Sequence, residues 1–561
     1  MSVRGLNLLV FRDGRRRVKG ADLKLALLEE PNRSSGASST DVRISALLRA
    51  GELECAIADA DAHRATPFVA LTDALAKALV DNHLPGNFEE LERAVAESSV
   101  PEELSVSTAE GFAYYALHPL AYSRVLEKLL DLRKRVVVIG IRSIGATLSA
   151  VTAAAAQSRG LNAVRFTVRP AGHPYNRYTE FLPCQLQVIQ SGIAHQGQFL
   201  IVDEGPGLSG SSFLSVAEAL ERAGVARQDI FLLCAHEPNP NALCSANAAE
   251  RWRRFRHETV TGQACVPSGD FIGGGQWRNR LFQDESVWPP IWSTMERVKY
   301  LVSADSSERR LFKFGGFGHY GDPVFEREQR VAVAGFGPMP RLEESGFLSY
   351  PWLRGRAMAP NDLSREVIHR LAEYCAFRVQ AFAIDQADLK PLQEMADHNL
   401  AELGFRRPVS LTLEHPVIAD GHMQPHEWVL TQEGQIFKTD SGSHGDDHFY
   451  PGPTDIAWDL AGAMVEWQMN AAQSEEFLQL YRRASGDNPG SRDPGSRIDD
   501  FVRAYTVFRC AYCRMAANVM QGAAEQARLE QASAIYAASL EADSGSGWLP
   551  AEESEPAKLP V

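Results

Sequence analysis

The sequence predicts two mixed units in one chain: a doubly wound α/β parallel sheet in the first half and a bilobal α+β unit in the second. Three observations predict this. Residues 199–213, FLIVDEGPGLSGSSF, read as a buried strand, an acid pair (Asp203, Glu204) and a Gly/Ser turn that reopens as a helix. Residues 135–139, RVVVI, are an earlier apolar strand, followed by a turn from Gly140 to Gly145 and a small-residue helix, so strand, turn and helix recur in order. Far downstream, residues 309–321, RRLFKFGGFGHYG, place Lys313 on a strand before a glycine-rich turn.

With 561 residues the chain is too long for one hydrophobic core. Its apolar content of 45% and charged content of 23% are those of a folded soluble protein. A net charge of −14 argues against broad binding to nucleic acid or to an anionic membrane. No run of about 18 apolar residues would span a bilayer, and the N-terminal apolar run is too short for a signal peptide. Eight scattered cysteines suit a reducing cytoplasm. Cys510 and Cys513, in FRCAYCRMAANVM, read as buried thiols of a helix.

Taken in order, residues 1–109 alternate apolar and polar segments around a break at 31–40, with helical patterns at 72–80 and 88–96. They form either a cap over the next unit or a strand-swapped portion of it. Residues 110–240 hold the parallel sheet. A strand at 230–235 ends in HEPNP, placing His236 and Glu237 where open α/β sheets collect ligands. Residues 241–296, with Trp252, Trp277, Trp288, Trp292 and a GGG run, read as a linker whose tryptophans pack on a neighbouring domain. Residues 297–540 form the second unit, with a helix at 325–335 and a strand, hinge and turn at 345–356. Residues 541–561 are acidic and are expected to be disordered.

A strand that ends in acids and continues through Gly and Ser into a helix suits a sugar phosphate: backbone N–H groups cradle the phosphate, and the acids hold ribose hydroxyls or Mg2+. Residues 199–213 resemble the phosphoribosyl-pyrophosphate loop of type I phosphoribosyltransferases. Ser209-Gly210-Ser211-Ser212 stands where that family has Thr-Gly-x-Thr, after a spacer one residue longer. The resemblance implies that Gly207, Ser209, Gly210, Ser211 and Ser212 hold the 5-phosphate, and that Asp203 and Glu204 hold the ribose and its metal. Gly140, Arg142, Ser143 and Gly145 would hold pyrophosphate. Arg169 and Arg177, which flank a Pro/Gly/His/Asn turn, are either the family's mobile basic hood or an exposed hairpin.

Residues 297–525 resemble the aminoglycoside-phosphotransferase and choline-kinase branch of kinase-like folds. The resemblance implies that Lys313 grips nucleotide phosphates, paired with Glu326 or Glu328 on the next helix. Asp440, after VLTQEGQIFKT, matches the metal-binding acid, and Asp455 and Asp459 match residues that brace the catalytic loop. Aligned on Pro425, the family's His-Gly-Asp-x-x-Pro-x-Asn becomes Asp420-Gly421-His422-Met423-Gln424-Pro425-His426-Glu427. Either Asp420 serves as base, with Glu427 and Asp440 on the metal, or the unit no longer transfers phosphate. His415, His422, His426, His444 and His448, with Asp440, Asp446 and Asp447, offer a transition-metal site as a further alternative.

The expected function is thus a phosphoribosyltransferase-type enzyme using phosphoribosyl pyrophosphate or a nucleotide-like ligand with Mg2+, coupled to a kinase-like domain. The catalytic set is Arg142, Asp203, Glu204 and Asp420, the partner is a small-molecule or nucleobase-like acceptor, and ATP is a second candidate ligand. A homo-oligomer is open. The alternatives are a nucleotide-binding sensor without turnover and an ATP-dependent small-molecule phosphotransferase.

Overall fold

The computed structural model describes residues 6–33, 39–129, 135–207, 209–260, 267–303, 309–490, 496–520 and 522–544. Its first half is built on a five-stranded, wholly parallel sheet. Across the sheet the strands run Ala163–Val168, Val136–Ile141, Gln198–Val202, Ile230–Cys234 and Arg256–Thr259. The order reverses between Val136–Ile141 and Gln198–Val202, and these are the strands that carry the two glycine turns.

The three central strands are buried throughout. They read as unbroken apolar runs because helices cover both faces. Alternate residues serve different cores: Val136, Val138, Leu200 and Val202 face one layer, while Val137, Ile139, Phe199 and Ile201 face the other. The alanine-rich helix Gly145–Ser158 is buried from Gly145 through Ala156. Small side chains let it lie between the sheet and two N-terminal helices, Ser39–Ala60 and Thr66–Asp81.

The N-terminal region is therefore neither a separate cap nor a strand-swapped piece. Its helices form an outer layer of the same core, and its strand Arg15–Lys19 pairs antiparallel with Glu103–Ser107, outside the parallel sheet. The segment before that strand reaches the other half. Leu8 and Val10 enter the C-terminal core, and Asn399 holds Leu9 from both sides, donating to its carbonyl at 2.7 Å and accepting from its N–H at 2.8 Å.

The described residues of the stretch 241–296 are likewise part of the two sheets and their packing rather than a linker. Trp252 is fully buried against Phe213, Arg256–Thr259 completes the parallel sheet, and Asp270–Phe271 opens the next one. That second sheet is antiparallel, in the order Asp270–Phe271, Lys299–Ser303, Arg309–Phe314, Phe347–Pro351, Arg341–Leu342, with helix Asp322–Val333 against it. Pro351 leads through Trp352 and Leu353 into a second lobe. This lobe comprises a small sheet (Gly355–Ala357, Trp428–Thr431, Ile436–Lys438) and the helices Arg365–Ala381, Lys390–Glu402, Ala457–Glu466, Ala471–Ser485, Arg497–Val519 and Ala523–Ser544. Cys510 and Cys513 are buried free thiols. Of the expected disordered tail, the last helix takes residues up to Ser544, and the remainder lies outside the described residues.

The halves share a core. Phe314, Phe317 and Phe347 of the antiparallel unit belong to the cluster that contains the N-terminal helices. A Cβ on Gly318, at φ +50°, would lie 2.2 Å from Ser45 Oγ, so the glycine-rich turn packs on helix Ser39–Ala60.

Candidate functional site

Between the antiparallel sheet and the second lobe lies a cleft of about 870 Å3. Ile272, Leu311 and Val429 give it an apolar wall, Pro351–Leu353 form its back, and Lys313, Glu328, Glu427 and Asp440 line its polar end. Lys313 reaches Asp440 directly and donates to Ser443 Oγ at 2.8 Å. Burial, with Lys299 and Arg297 nearby, presses the Lys313 ammonium toward neutrality; Glu328 opposes this. Asp440 sits at φ +56°, a left-handed conformation rare outside glycine that marks strained functional positions.

Of the two helix acids, Glu328 is buried and Glu326 is exposed. Glu328 does not bond Lys313. It accepts from Ser441 Oγ at 2.9 Å and from the Gly442 N–H at 2.8 Å, and Arg327 donates to the Gly442 carbonyl. Two consecutive helix residues thus hold the loop that follows Asp440.

Asp420 is placed differently from its expected role as base. It is fully buried, accepts from the Tyr374 hydroxyl, and lies 3.6 Å from Arg378 and 3.4 Å from Lys438. A carboxylate so enclosed braces the loop and does not meet an acceptor. Asp459 accepts from the Asp420 and Gly421 N–H groups, and Asp455 from those of Glu414 and His415. Lys438, without exposed side-chain surface, stands between Asp420 and Glu427.

His422 instead lines a cavity that adjoins the cleft, together with Gln424, His444 and Asp447. Its ring stacks on His444 at 3.7 Å, and its Nδ1 lies 3.8 Å from Glu427. Burial holds the His422 imidazole neutral, its pKa lowered to about 4. His444 Nε2 lies 3.0 Å from Asp440. The five histidines do not form one metal site. His415 pairs with Asp487, His426 stacks on Trp277, and His448 meets the Tyr115 hydroxyl. Among the described residues, the group with metal-binding spacing is Glu414, His415 and Asp487, away from the cleft.

The sheet-edge residues come together at the order reversal. A Cβ on Gly140 would fall 2.2 Å from the Gly145 carbonyl, and one on Gly145 would fall 2.8 Å from the Val202 carbonyl, so neither position admits a side chain. Ser143 is half-buried, facing helix Ser39–Ala60. Arg142 lies 3.1 Å from Asp59, and Arg169 holds the same carboxylate at 2.5 Å while donating to the Arg142 carbonyl. Asp59 comes from the N-terminal helix, and no motif marks it. Arg177 donates to Pro170 O within an exposed hairpin.

Asp203 and Glu204 follow strand Gln198–Val202. Burial raises the Asp203 pKa to about 7; burial together with Glu110 and Asp203 raises that of Glu204 to about 8. Glu204 accepts from the Gly111 N–H at 2.9 Å. Gly207 is exposed at φ +60°, and Gly210, at φ +66°, caps helix Ser211–Arg222. Ser209 Oγ accepts from the Ser211 N–H at 3.2 Å, and the Ser211 hydroxyl donates to Pro174 O at 2.5 Å. Ser212 is half-buried, and its carbonyl accepts from Ser215 Oγ. Burial lowers the His236 pKa, and Glu237 pairs with His257 and Thr259 of the neighbouring strand.

No family model and no curated protein matches the chain. Among solved structures, a choline/ethanolamine kinase family protein from Mesorhizobium loti is 16% identical over 45% of this chain and 90% of its own, with a TM-score of 0.29. A macrolide 2'-phosphotransferase from Brachybacterium faecium is 16% identical over 46% of this chain and 94% of its own, TM-score 0.29. A choline kinase from Streptococcus pneumoniae is 12% identical over 43% and 89%, TM-score 0.24. Each takes in less than half of this chain and most of the other's length.

Proposed function

We propose that the chain is an ATP-dependent small-molecule phosphotransferase centred on the cleft between the antiparallel sheet and the second lobe. The convergence of Lys313, Glu427 and Asp440 at the polar end of a deep apolar cleft carries this reading. The apolar wall suits a nucleobase, and Lys313 suits its phosphates. Glu427 and Asp440 offer the hard oxygen donors that Mg2+ takes; the ion, when bound, offsets charge on the phosphates.

In the transfer step an acceptor hydroxyl oxygen bonds to the terminal phosphorus. The bond from phosphorus to the bridging oxygen breaks, its electron pair leaves on the diphosphate, and the hydroxyl proton is released to water. The loose transition state of phosphoryl transfer asks for position and charge balance more than for a strong base. A neutral His422 in place of a carboxylate is compatible with that demand. Calorimetric titration with Mg-ATP, followed by measurement of ADP release, tests the proposal. Binding that Lys313→Met weakens and turnover that Asp440→Asn removes are expected; a wild-type protein that binds no ATP would overturn it.

A second reading is favoured by the placement of Gly140–Gly145 and Asp203-Glu204 at the reversal of strand order, where open sheets bind ligands. There the parallel sheet binds phosphoribosyl pyrophosphate or a related sugar phosphate with Mg2+, with Asp203 and Glu204 on the ribose and metal, and Arg142 on pyrophosphate. Thermal stabilisation by phosphoribosyl pyrophosphate that Asp203→Ala abolishes is its test.

A further inference from the structure

A second cavity, of about 850 Å3, adjoins the nucleotide cleft and shares Trp277, Lys299, His426, Glu427 and Asp440 with it. Resting on the phosphotransferase reading, we propose that this cavity binds the phosphoryl acceptor, and that the acceptor is a neutral polyhydroxylated molecule: a sugar, a cyclitol or a nucleoside.

Apart from Glu427 and Asp440, which the cavity shares with the cleft and which the phosphotransferase reading gives to Mg2+, the charged groups that line the cavity are already engaged. Glu296 accepts from the Gly275 N–H, Trp277 Nε1 and Lys299. Asp447 accepts from the Phe449 N–H and lies 3.4 Å from His444. Arg297 donates to the carbonyls of Ala113, Gly315 and Ser443, and Arg509 lies 3.0 Å from Glu466. Neither a cationic nor an anionic headgroup finds a free counter-charge among these groups.

The free capacity is neutral. Among the described residues, Trp292 Nε1, Gln424 Oε1 and His448 Nδ1 find no hydrogen-bond partner, on residues only 5%, 4% and 7% exposed. Buried polar atoms are seldom left unsatisfied, so three of them lining one cavity point to a ligand that satisfies them. They comprise a donor, an acceptor and an imidazole nitrogen able to be either, which matches hydroxyl groups. His448 is fixed through its other nitrogen, 3.2 Å from the Tyr115 hydroxyl. Trp292 packs on Phe449 and Tyr512, giving the aromatic surface on which a sugar ring or base lies.

The first half contributes to this cavity. Tyr114 lines it, and the same short segment carries Gly111, whose N–H holds Glu204 at the sheet edge. The acceptor site is therefore composite, and neither half builds it alone.

The test uses the full chain. Mg-ATP affinity is measured first by calorimetry. D-ribose, myo-inositol, adenosine, choline and ribose 5-phosphate are then titrated in the presence of a non-hydrolysable ATP analogue, and ADP release is followed with each. At least one of the three neutral compounds is expected to bind and to stimulate ADP release. Trp292→Phe, which keeps an aromatic ring and removes the N–H, and Gln424→Met should each raise its KM roughly ten-fold, as expected for one lost buried hydrogen bond, and leave the Mg-ATP Kd unchanged. Stimulation by choline or ribose 5-phosphate alone would overturn the proposal, as would an unchanged KM in both variants or no neutral compound binding. Absence of Mg-ATP binding refutes the phosphotransferase reading separately, because calorimetric binding of a neutral compound, lost in Trp292→Phe, still supports the cavity's assignment.

Discussion

The two candidate centres hold their cations and acids in opposite ways. In the cleft the lysine and the acid face each other: Lys313 rests on Asp440, and the loop behind them is held by Glu328 and Arg327. At the sheet edge the cations and acids are kept apart. Arg142 and Arg169 are both held by Asp59 of a different helix, while Asp203 and Glu204 are pushed toward their neutral forms. The cleft is balanced by an internal ion pair, and the sheet edge by protonation and a borrowed carboxylate. A ligand entering the cleft meets Asp440 already flanked by Lys313, Lys299 and His444, whereas a ligand entering the sheet edge must compete with Asp59 and ionise two acids.

The largest effect that separates them is on turnover. Asp440→Asn should lower ADP release by roughly two to three orders of magnitude, the usual loss when one transition-state electrostatic partner goes. It should leave sugar-phosphate binding at the sheet edge intact; a parallel loss of both would mean that the two centres are one. Next in size is Gly140→Ala. A methyl group 2.2 Å from the Gly145 carbonyl and 2.5 Å from Ser149 Oγ forces the turn apart. The expected cost is about 1–3 kcal/mol, read as a lowered denaturation midpoint, with Mg-ATP affinity unchanged at 25 °C.

How much of this was legible follows the range of the forces involved. The parallel strands, their glycine turns and the Lys313 strand were readable because apolar runs and glycines act locally. The shared cleft of Lys313 and Asp440 was also anticipated from order along the chain. Asp420 was not: only the fold shows that Tyr374, Arg378 and Lys438 enclose it, since these partners lie 18 to 46 residues away in sequence. Asp59 and Trp292 were equally silent. One sits on a helix with no motif, and the other lay in a stretch that read as a linker. Contacts between distant segments decide such roles, and residue spacing carries no trace of them.

Smaller effects sharpen the contrast at the sheet edge. Asp59→Asn should free Arg142 and Arg169 and raise affinity for inorganic pyrophosphate several-fold by calorimetry; a fall would mean that Asp59 orients the arginines for the anion rather than competing with it.

The smallest effect is a pH dependence of stability. The folded-state pKa values of Asp203 and Glu204, about 7 and about 8, lie above the ordinary carboxylate range. A raised carboxyl pKa means that the fold favours the protonated form. Its contribution to stability is therefore complete below about pH 4, declines as pH rises through the folded values, and is level beyond them. Glu110 adds to the rise at Glu204, and Arg169 opposes it at Asp203. The ligand-free protein should thus lose several degrees of Tm between about pH 5 and 8, a slope that Asp203→Asn with Glu204→Gln flattens. An unchanged slope in the double variant would place the titration elsewhere and remove the protonated acid pair from the account of the sheet edge.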